Sequence, residues 1–586
     1  MKHLRKAFVM LLCLALCASF STISFAQDES VTFGDVLQDN FMRITSADAW
    51  NKGTYENTVL TEEVGNGAIR LAEGQLEGSW ISEEIDVPAF EYMVASWSSD
   101  TPAGASVEIM VRAYVDMKGE WSGWMSWGRW GTAIKRGSAN SSDALAYMDT
   151  DILTIKGSSG ESASKIQVKA VLRAVEGGKT PTLRDISTTT KNTLDGQAIP
   201  VYHPNADAEL PEKVLLDTPA YSQMRRDGAI GSVICSPTTM TMMINDRNPE
   251  LDLFPEELAL RDFDFVYEGF GNWAFTTAVG GAYGYSVSCH YADLDFVRQE
   301  LAAGRSVGLS VRYNSVNPTG SYYLENGATD DTAGHLICIV GYETIDGVDY
   351  FISNDSATRP DAKCALRMYR ADQLDNCWTS RVAYQVSSQP EAGAGQDAPQ
   401  RIEAKLEVSA DNPDGYCLMV DGEQVILSKS FLRKTSVTGA GTAFLIADGA
   451  ALETMPDGMK VTTANTEQIS YIGATNDGKV YISTGKMQSA GVTDATVYVI
   501  INDGPTYVAD VTIPAPAPAE PEAPVETPEE PTVTPEPEAP VETPEEPSEP
   551  VEKSGVDPMI VVGALVVLAV LLGLALKTLR KKNGKG

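Results

Sequence analysis

About forty residues near the end of this chain cannot build a core, and they limit where folded structure can lie. Residues 514–555 are dominated by Pro and Glu, and Pro-Glu-Ala-Pro-Val-Glu-Thr-Pro-Glu-Glu-Pro occurs at 521 and again at 537. Such a composition buries too little apolar surface to offset chain entropy, and its charges repel one another. Compact domains are therefore expected before residue 514. An extended stalk of this kind rises ~3.1 Å per residue, so it would span on the order of 100 Å.

The flanks suggest where the stalk leads. Residues 559–576 form an uninterrupted apolar run of about the minimum spanning length, followed by Lys577, Arg580, Lys581, Lys582 and Lys585 in the tail 577–586. The positive-inside rule puts that tail in the cytoplasm and everything before the stalk outside. At the other end, Lys2, Arg5 and Lys6 precede an apolar stretch from Phe8 to Leu16, and Ser24-Phe25-Ala26 makes a small-residue cleavage site. Residues 1–26 thus read as a signal peptide. The expected location is the cell membrane, single-pass, with an extracellular ectodomain, in a bacterium of the single-membrane type. No Leu-Pro-x-Thr-Gly sorting signal supports covalent wall anchoring. The net charge of -35 argues against nucleic acid as a partner, because no broad basic surface is available to neutralise phosphates.

Two regions read as all-β. In 27–195, short alternating runs such as Ser106–Tyr114 and Lys165–Leu172 are separated by Gly, Asp, Ser and Asn, which suggests a β-sandwich. Seven of the nine tryptophans lie there: Trp50, Trp80, Trp97, Trp121, Trp124, Trp127 and Trp130. The last four recur every third residue, a spacing that fits no strand. They either fill the sandwich core and its interfaces or stack on sugar rings, in which case wall polysaccharide is the partner. Residues 196–213 look like a linker. Residues 398–513 are punctuated by Asp414-Gly415, Asp421-Gly422, Asp457-Gly458 and Asp477-Gly478 and form a second β-rich region. No catalytic constellation stands out there, so a spacer or ligand-binding module is expected.

The chemistry-bearing residues fall in 214–392. Cys235 is followed by Ser-Pro-Thr-Thr and then Met-Thr-Met-Met-Ile. Proline is tolerated in a first helical turn, so a helix should start at about Cys235 and run toward Ile244. A thiol at a helix N-terminus meets free N–H groups and the helix dipole, which favour thiolate. Of the four histidines, His3 lies in the leader, His203 in the linker and His290 in an ordinary strand-like run. His335 opens an apolar run, Gly334 to Tyr342, of the kind that makes a buried strand. Asp346-Gly347 is a hairpin signal, and the return strand Tyr350–Ser353 ends at Asn354-Asp355. Folding that hairpin brings His335 near Asp355, and a carboxylate beside an imidazole completes a nucleophile–base–acid set. Phe254–Leu260 and Leu294–Ala303 are further helical segments.

Cys-Ser-Pro-Thr, Gly-His-Leu and Asn-Asp-Ser-Ala, in this order, resemble the catalytic segments of the C39-like cysteine peptidases, which have a papain-like α+β fold. The resemblance covers roughly 215–390 and extends back through Ser99–Gly104 and Trp127–Trp130. It implies a Cys235–His335–Asp355 triad that hydrolyses peptide or amide bonds, with peptide or peptidoglycan-peptide as substrate. Tyr221-Ser222-Gln223 matches the family's oxyanion-hole segment, which makes Gln223 the oxyanion donor. Tyr267 to Trp273 resembles a segment of secreted bacterial members, and through it Trp273 and Glu268 are expected to line the cleft. Asn354 is held in reserve as the orienting residue. The chain departs from the family twice. Ser356 stands where members often have Pro, and the spacing from Gln223 to Cys235 is longer than in the transporter-linked peptidases. The chain has no Gly-x-x-x-x-Gly-Lys-Ser/Thr motif, so the leader-peptide specificity of those relatives is not carried over.

The same constellation also suits an acyltransferase or amidase on wall peptides. An inactive thiol domain would instead leave a surface binding or display protein. Six cysteines remain beyond the leader, and Cys364 with Cys377 is the easiest pair to imagine bonded. With no Cys-x-x-Cys and no paired histidine spacing, neither metal nor cofactor is expected.

Overall fold

A computed structural model describes residues 40–157, 161–193, 210–226, 230–358 and 364–408, together with strands that begin at 36 and reach 512. The leader, His203, the stalk, and the apolar run 559–576 with its basic tail lie outside the described residues. Among the described residues no helix is long and apolar enough to cross a membrane.

The first part is a sandwich of two largely antiparallel sheets of nine and seven strands. The first sheet centres on Tyr92–Asp100 and Thr182–Lys191, and the second on Ser106–Val115 and Ala163–Arg173. The alternating run at Ser106 buries every second side chain, as a half-buried strand should. Trp50, Trp80, Trp97, Trp127 and Trp130 are all buried between or beside the sheets. The three-residue tryptophan spacing has a local cause. Strand Met125–Trp130 carries a register shift between Ser126 and Arg129, with Gly128 at φ +103°. That irregularity adds a residue to the count and turns Trp127 and Trp130 to the same side. Trp121 and Trp124 remain partly exposed, with the Arg112 guanidinium 4.9 and 5.3 Å from their rings.

The central part is α+β, with helices first. They are Cys235–Arg247, Pro255–Asp262 and Trp273–Ala282, followed later by Leu294–Ala302 and Ala371–Cys377. A seven-stranded sheet follows in the order Val287–Tyr291, Val382–Val386, Val307–Asn314, Asp331–Ile345, Val348–Asn354, Arg367–Arg370, with Lys213–Leu215 also paired to Asp331–Ile345. The chain therefore enters this part within what the sequence suggested as linker. The long hairpin turns at Asp346 and Gly347, with φ of +51° and +77°, the left-handed pair a two-residue hairpin loop requires. The Cys235 helix is buried from Ser236 to Asn245. Such all-round burial is the mark of a core helix, and each of the fully buried Met240, Met242, Met243 and Ile244 contributes about 1.5–3 kcal/mol.

The sandwich and the central part share one hydrophobic cluster, which includes Trp97, Met240 and Phe275. The Trp273 helix lies on Tyr92–Asp100 closely enough that a Cβ on Gly281 would stand 2.8 Å from Ser98 Cα. Polar groups of the sandwich also enter this contact. Fully buried Arg184 pairs with Asp100 at 2.7 Å and Glu391 at 2.6 Å, and its guanidinium donates to the carbonyls of Gly281 and Tyr285.

Two further five-stranded sheets are built from residues between 401 and 512. Tyr498 and Ile500 pack against the Phe254 region, while Arg401 and Thr506 hold Glu257 on the Pro255 helix.

Candidate active site

Cys235 is the first residue of its helix. The residue before it, Ile234, offers no side chain to cap the exposed N–H groups. The helix end is therefore left to stabilise an anion on the sulfur. Cys235 is half-buried and unbonded. Burial pushes its thiol up, but the hydrogen bond and charge of the His335 imidazole, helped by the backbone N–H groups of Leu336 and Ser236, hold it below its ordinary value.

His335 lies on Asp331–Ile345, at the point where that strand goes from exposed to buried. Its Nε2 bonds Asp355 Oδ1 at 2.7 Å, which leaves Nδ1 as the ring nitrogen for the thiol. Burial alone would lower the imidazole. The charge and hydrogen bond of Asp355, with those of Cys235, push it up to about 10. Thiol down and imidazole up is the signature of a thiolate–imidazolium pair.

Asp355 follows directly on the return strand of the hairpin and is fully buried. It needs donors on every side, because a buried carboxylate without partners would protonate. Tyr369 Oη donates to Oδ2 at 2.7 Å, Tyr313 Oη to Oδ2 at 3.4 Å, and the Ala357 N–H to Oδ1 at 3.0 Å. Burial pushes the carboxyl up, and His335, Tyr369 and Ala357 more than offset that, holding it below the usual range. The neighbouring Asn354 is otherwise engaged. Its amide donates to the Thr218 carbonyl at 3.0 Å and accepts from the Leu366 N–H at 3.1 Å. Asp355 thus holds the imidazole, and Asn354 holds backbone.

Gln223 lies on the short turn Gln223–Arg225 and is 3% exposed. Its Oε1 accepts from Ser356 Oγ at 2.7 Å, and its backbone N–H donates to the Ser356 carbonyl at 2.9 Å. Behind the cysteine, Ser236 Oγ bonds Thr276 Oγ1 and Tyr384 Oη, both at 2.8 Å, and Thr276 donates to Asp262 Oδ1 at 3.1 Å. Burial pushes Asp262 well above the carboxylate range.

The structure joins Cys235, His335 and Asp355 in one chain of contacts and ties Gln223 to the residue after Asp355. Trp273 and Glu268 are placed differently. Trp273 opens its helix and gives its N–H to Asp151 at 2.8 Å. Glu268 stands exposed in a left-handed turn, φ +58°, closed by its N–H on Asp264. Just before Glu268, Tyr267 is half-exposed, and its phenol is raised by burial and by the charges of Asp151 and Cys235. Sequence reasoning missed Tyr369 and Tyr313, and it named Ser356 only as a departure from the family pattern. The suggested Cys364–Cys377 bridge is not present. Both thiols are free and buried, and Cys377 Sγ sits 3.1 Å from the Tyr322 carbonyl.

Residues 215–386 match the Peptidase_C39 like family, and residues 40–191 match the Peptidase C39 N-terminal domain. These two matches support a C39-family peptidase. No curated protein matches the chain. Among solved structures, digestive procathepsin L 3 of Tenebrio molitor larval midgut is 13% identical with a TM-score of 0.24, covering 32% of this chain and 73% of that one. Two carbohydrate-binding modules also match. TmCBM61, in complex with beta-1,4-galactotriose, has 14% identity, a TM-score of 0.14, and coverage of 26% of this chain and 88% of its own. TmCBM27, described for specific mannan recognition, has 10% identity, a TM-score of 0.16, and coverage of 27% and 99%.

Proposed function

We propose that the chain is an extracellular thiol peptidase of papain-like design, anchored by the apolar run 559–576, that hydrolyses peptide or amide bonds. The chain of contacts from the Cys235 thiol to the His335 imidazole, and from His335 to Asp355 at 2.7 Å, carries this reading. Cys235 thiolate attacks the carbonyl carbon, and the resulting oxyanion is met by Gln223 Nε2 and the Cys235 backbone N–H. The His335 imidazolium then gives its proton to the leaving amine, and a thioester remains on Cys235. Water attacks the thioester as His335 takes its proton, and collapse releases the carboxylic acid and restores the thiolate. Asp355 orients the ring and balances its charge throughout. The stalk and leader support a substrate outside the cell, a peptide or a wall peptide.

The test is to incubate the full chain separately with casein and with peptidoglycan fragments, and to read new amine termini by mass spectrometry. New termini that vanish in Cys235→Ala support hydrolysis, and transfer to an added amine would make the enzyme an acyltransferase. Absence of Cys235-dependent products from both substrates would count against the reading.

A second reading, binding of wall polysaccharide, is favoured only by the partly exposed Trp121 and Trp124 around Arg112. Aromatic faces of this kind can stack on sugar rings. Wall-polysaccharide binding retained by Cys235→Ala and lost in Trp124→Ala would support it.

A further inference from the structure

We infer that Ser356 is a positioning residue that sets the orientation of the Gln223 amide; the inference rests on the thiol-hydrolase reading above. A glutamine amide has two faces of similar shape and opposite polarity, an acceptor Oε1 and a donor Nε2. Only the donor can stabilise an oxyanion, and an amide turned the other way would present a repelling oxygen. Nothing in the shape of the side chain chooses between them, so a neighbour must.

Ser356 makes that choice. Its Oγ donates to Gln223 Oε1 at 2.7 Å, and its carbonyl accepts the Gln223 N–H at 2.9 Å. Gln223 is therefore gripped at both backbone and side chain by one residue. Ser356 is itself fully buried and Gln223 nearly so, which leaves little water to compete for the bond. With Oε1 occupied, Nε2 is the free end, and among the described residues it has no hydrogen-bond partner. A donor held without an acceptor suits an oxygen that becomes charged only during reaction.

The location adds a second consequence. Ser356 follows Asp355 directly, so a single turn carries both the carboxylate that holds His335 and the hydroxyl that holds Gln223. The base and the oxyanion donor are thereby fixed to the same short backbone. The residue at which the chain departs from the family pattern thus supplies the contact that orients Gln223.

The experiment compares two reactions of Cys235 in the full chain. Alkylation by iodoacetamide needs thiolate and no oxyanion donor, whereas acylation by p-nitrophenyl acetate needs both. Ser356→Ala should leave the alkylation rate unchanged and lower acylation at least tenfold, toward the about 10²–10³ that follows loss of an oxyanion donor. Ser356→Thr keeps a hydroxyl and should restore most of the rate. In a Gln223→Ala background, Ser356→Ala should have no further effect. Normal alkylation with undiminished acylation in Ser356→Ala would overturn the inference, as would an equal effect in the Gln223→Ala background. Slow alkylation of the unaltered protein would defeat the thiol-hydrolase reading itself, and this inference with it.

Discussion

Asp151, on a turn of the β-sandwich, accepts the backbone N–H of Trp273 at 2.8 Å and so satisfies the first free N–H of a central-part helix whose cap is Asn272. The same helix reaches the cysteine segment one turn later, through Thr276 and Ser236. The sandwich is thus bonded to the element that backs the thiol, and the two parts share one hydrophobic cluster.

Asp151 should make stability depend on pH. Burial, added to by Asp264 and Asp149, pushes it up to about 7, against about 3.9 in an unfolded chain. A folded-state value above the unfolded one means stability that is full below about pH 4 and lost as pH rises through about 7. The loss is on the order of a few kcal/mol. Asp151→Asn keeps an oxygen for the Trp273 N–H and removes the ionisation. Its melting temperature should fall less than that of the unaltered protein between about pH 4 and 7, and parallel profiles would show that Asp151 does not carry the effect.

Arg184 should be the costliest single loss at the contact between sandwich and central part. Arg184→Met strands Asp100 and Glu391 and frees two carbonyls in a buried setting. Breaking a buried pair from one side costs about 3–5 kcal/mol. Urea unfolding followed by tryptophan fluorescence should show a midpoint lowered to match, with the slope unchanged. A loss under about 1 kcal/mol would mean the contact relaxes around the gap.

Tyr369 should tune the base without touching substrate. Tyr369→Phe removes the 2.7 Å donor to the Asp355 carboxylate, a contact of about 1.5–3 kcal/mol. Asp355, now held less far below its usual range, should protonate at higher pH, and the acid limb of activity should move up with it. The expected cost in kcat at neutral pH is about tenfold or less, with KM unchanged. An acid limb that stays in place would separate Tyr369 from the carboxylate.

The helix at Cys235 and the Asp346-Gly347 hairpin were legible because each rests on a local rule, a proline in a first turn and two left-handed residues in a loop. Distance in sequence hid the rest. Tyr369 lies fourteen residues past the carboxylate it serves, on a strand with no mark of that role. The run from Thr182 to Lys191 is mostly polar, with Leu183 and Ile186 its only apolar residues, yet it is buried as far as Thr190 and carries Arg184, Asp185, Ser187 and Thr189 into the contact with the central part. Composition reports which residues are polar, not what covers them. The tryptophan spacing misled for a related reason, since a bulge alters the period that the eye counts. Cys364 and Cys377 looked like a pair because both flank one segment, but the helix Ala371–Cys377 points the second thiol at the Tyr322 carbonyl.

The central claim is the thiolate–imidazolium pair of Cys235 and His335, and its alkylation profile tests that claim most directly. The intact chain is treated with iodoacetamide at about pH 5.5 and about pH 8, and each cysteine is followed by mass spectrometry, with His335→Ala alongside. With Cys235 held below its ordinary value and His335 pushed up to about 10, thiolate and imidazolium coexist between the two. The account predicts that Cys235 alone labels fast at about pH 5.5, little slower than at about pH 8, and that His335→Ala abolishes the fast reaction at the lower pH. A Cys235 that reacts like an ordinary free thiol, or that labels equally fast without His335, would contradict it.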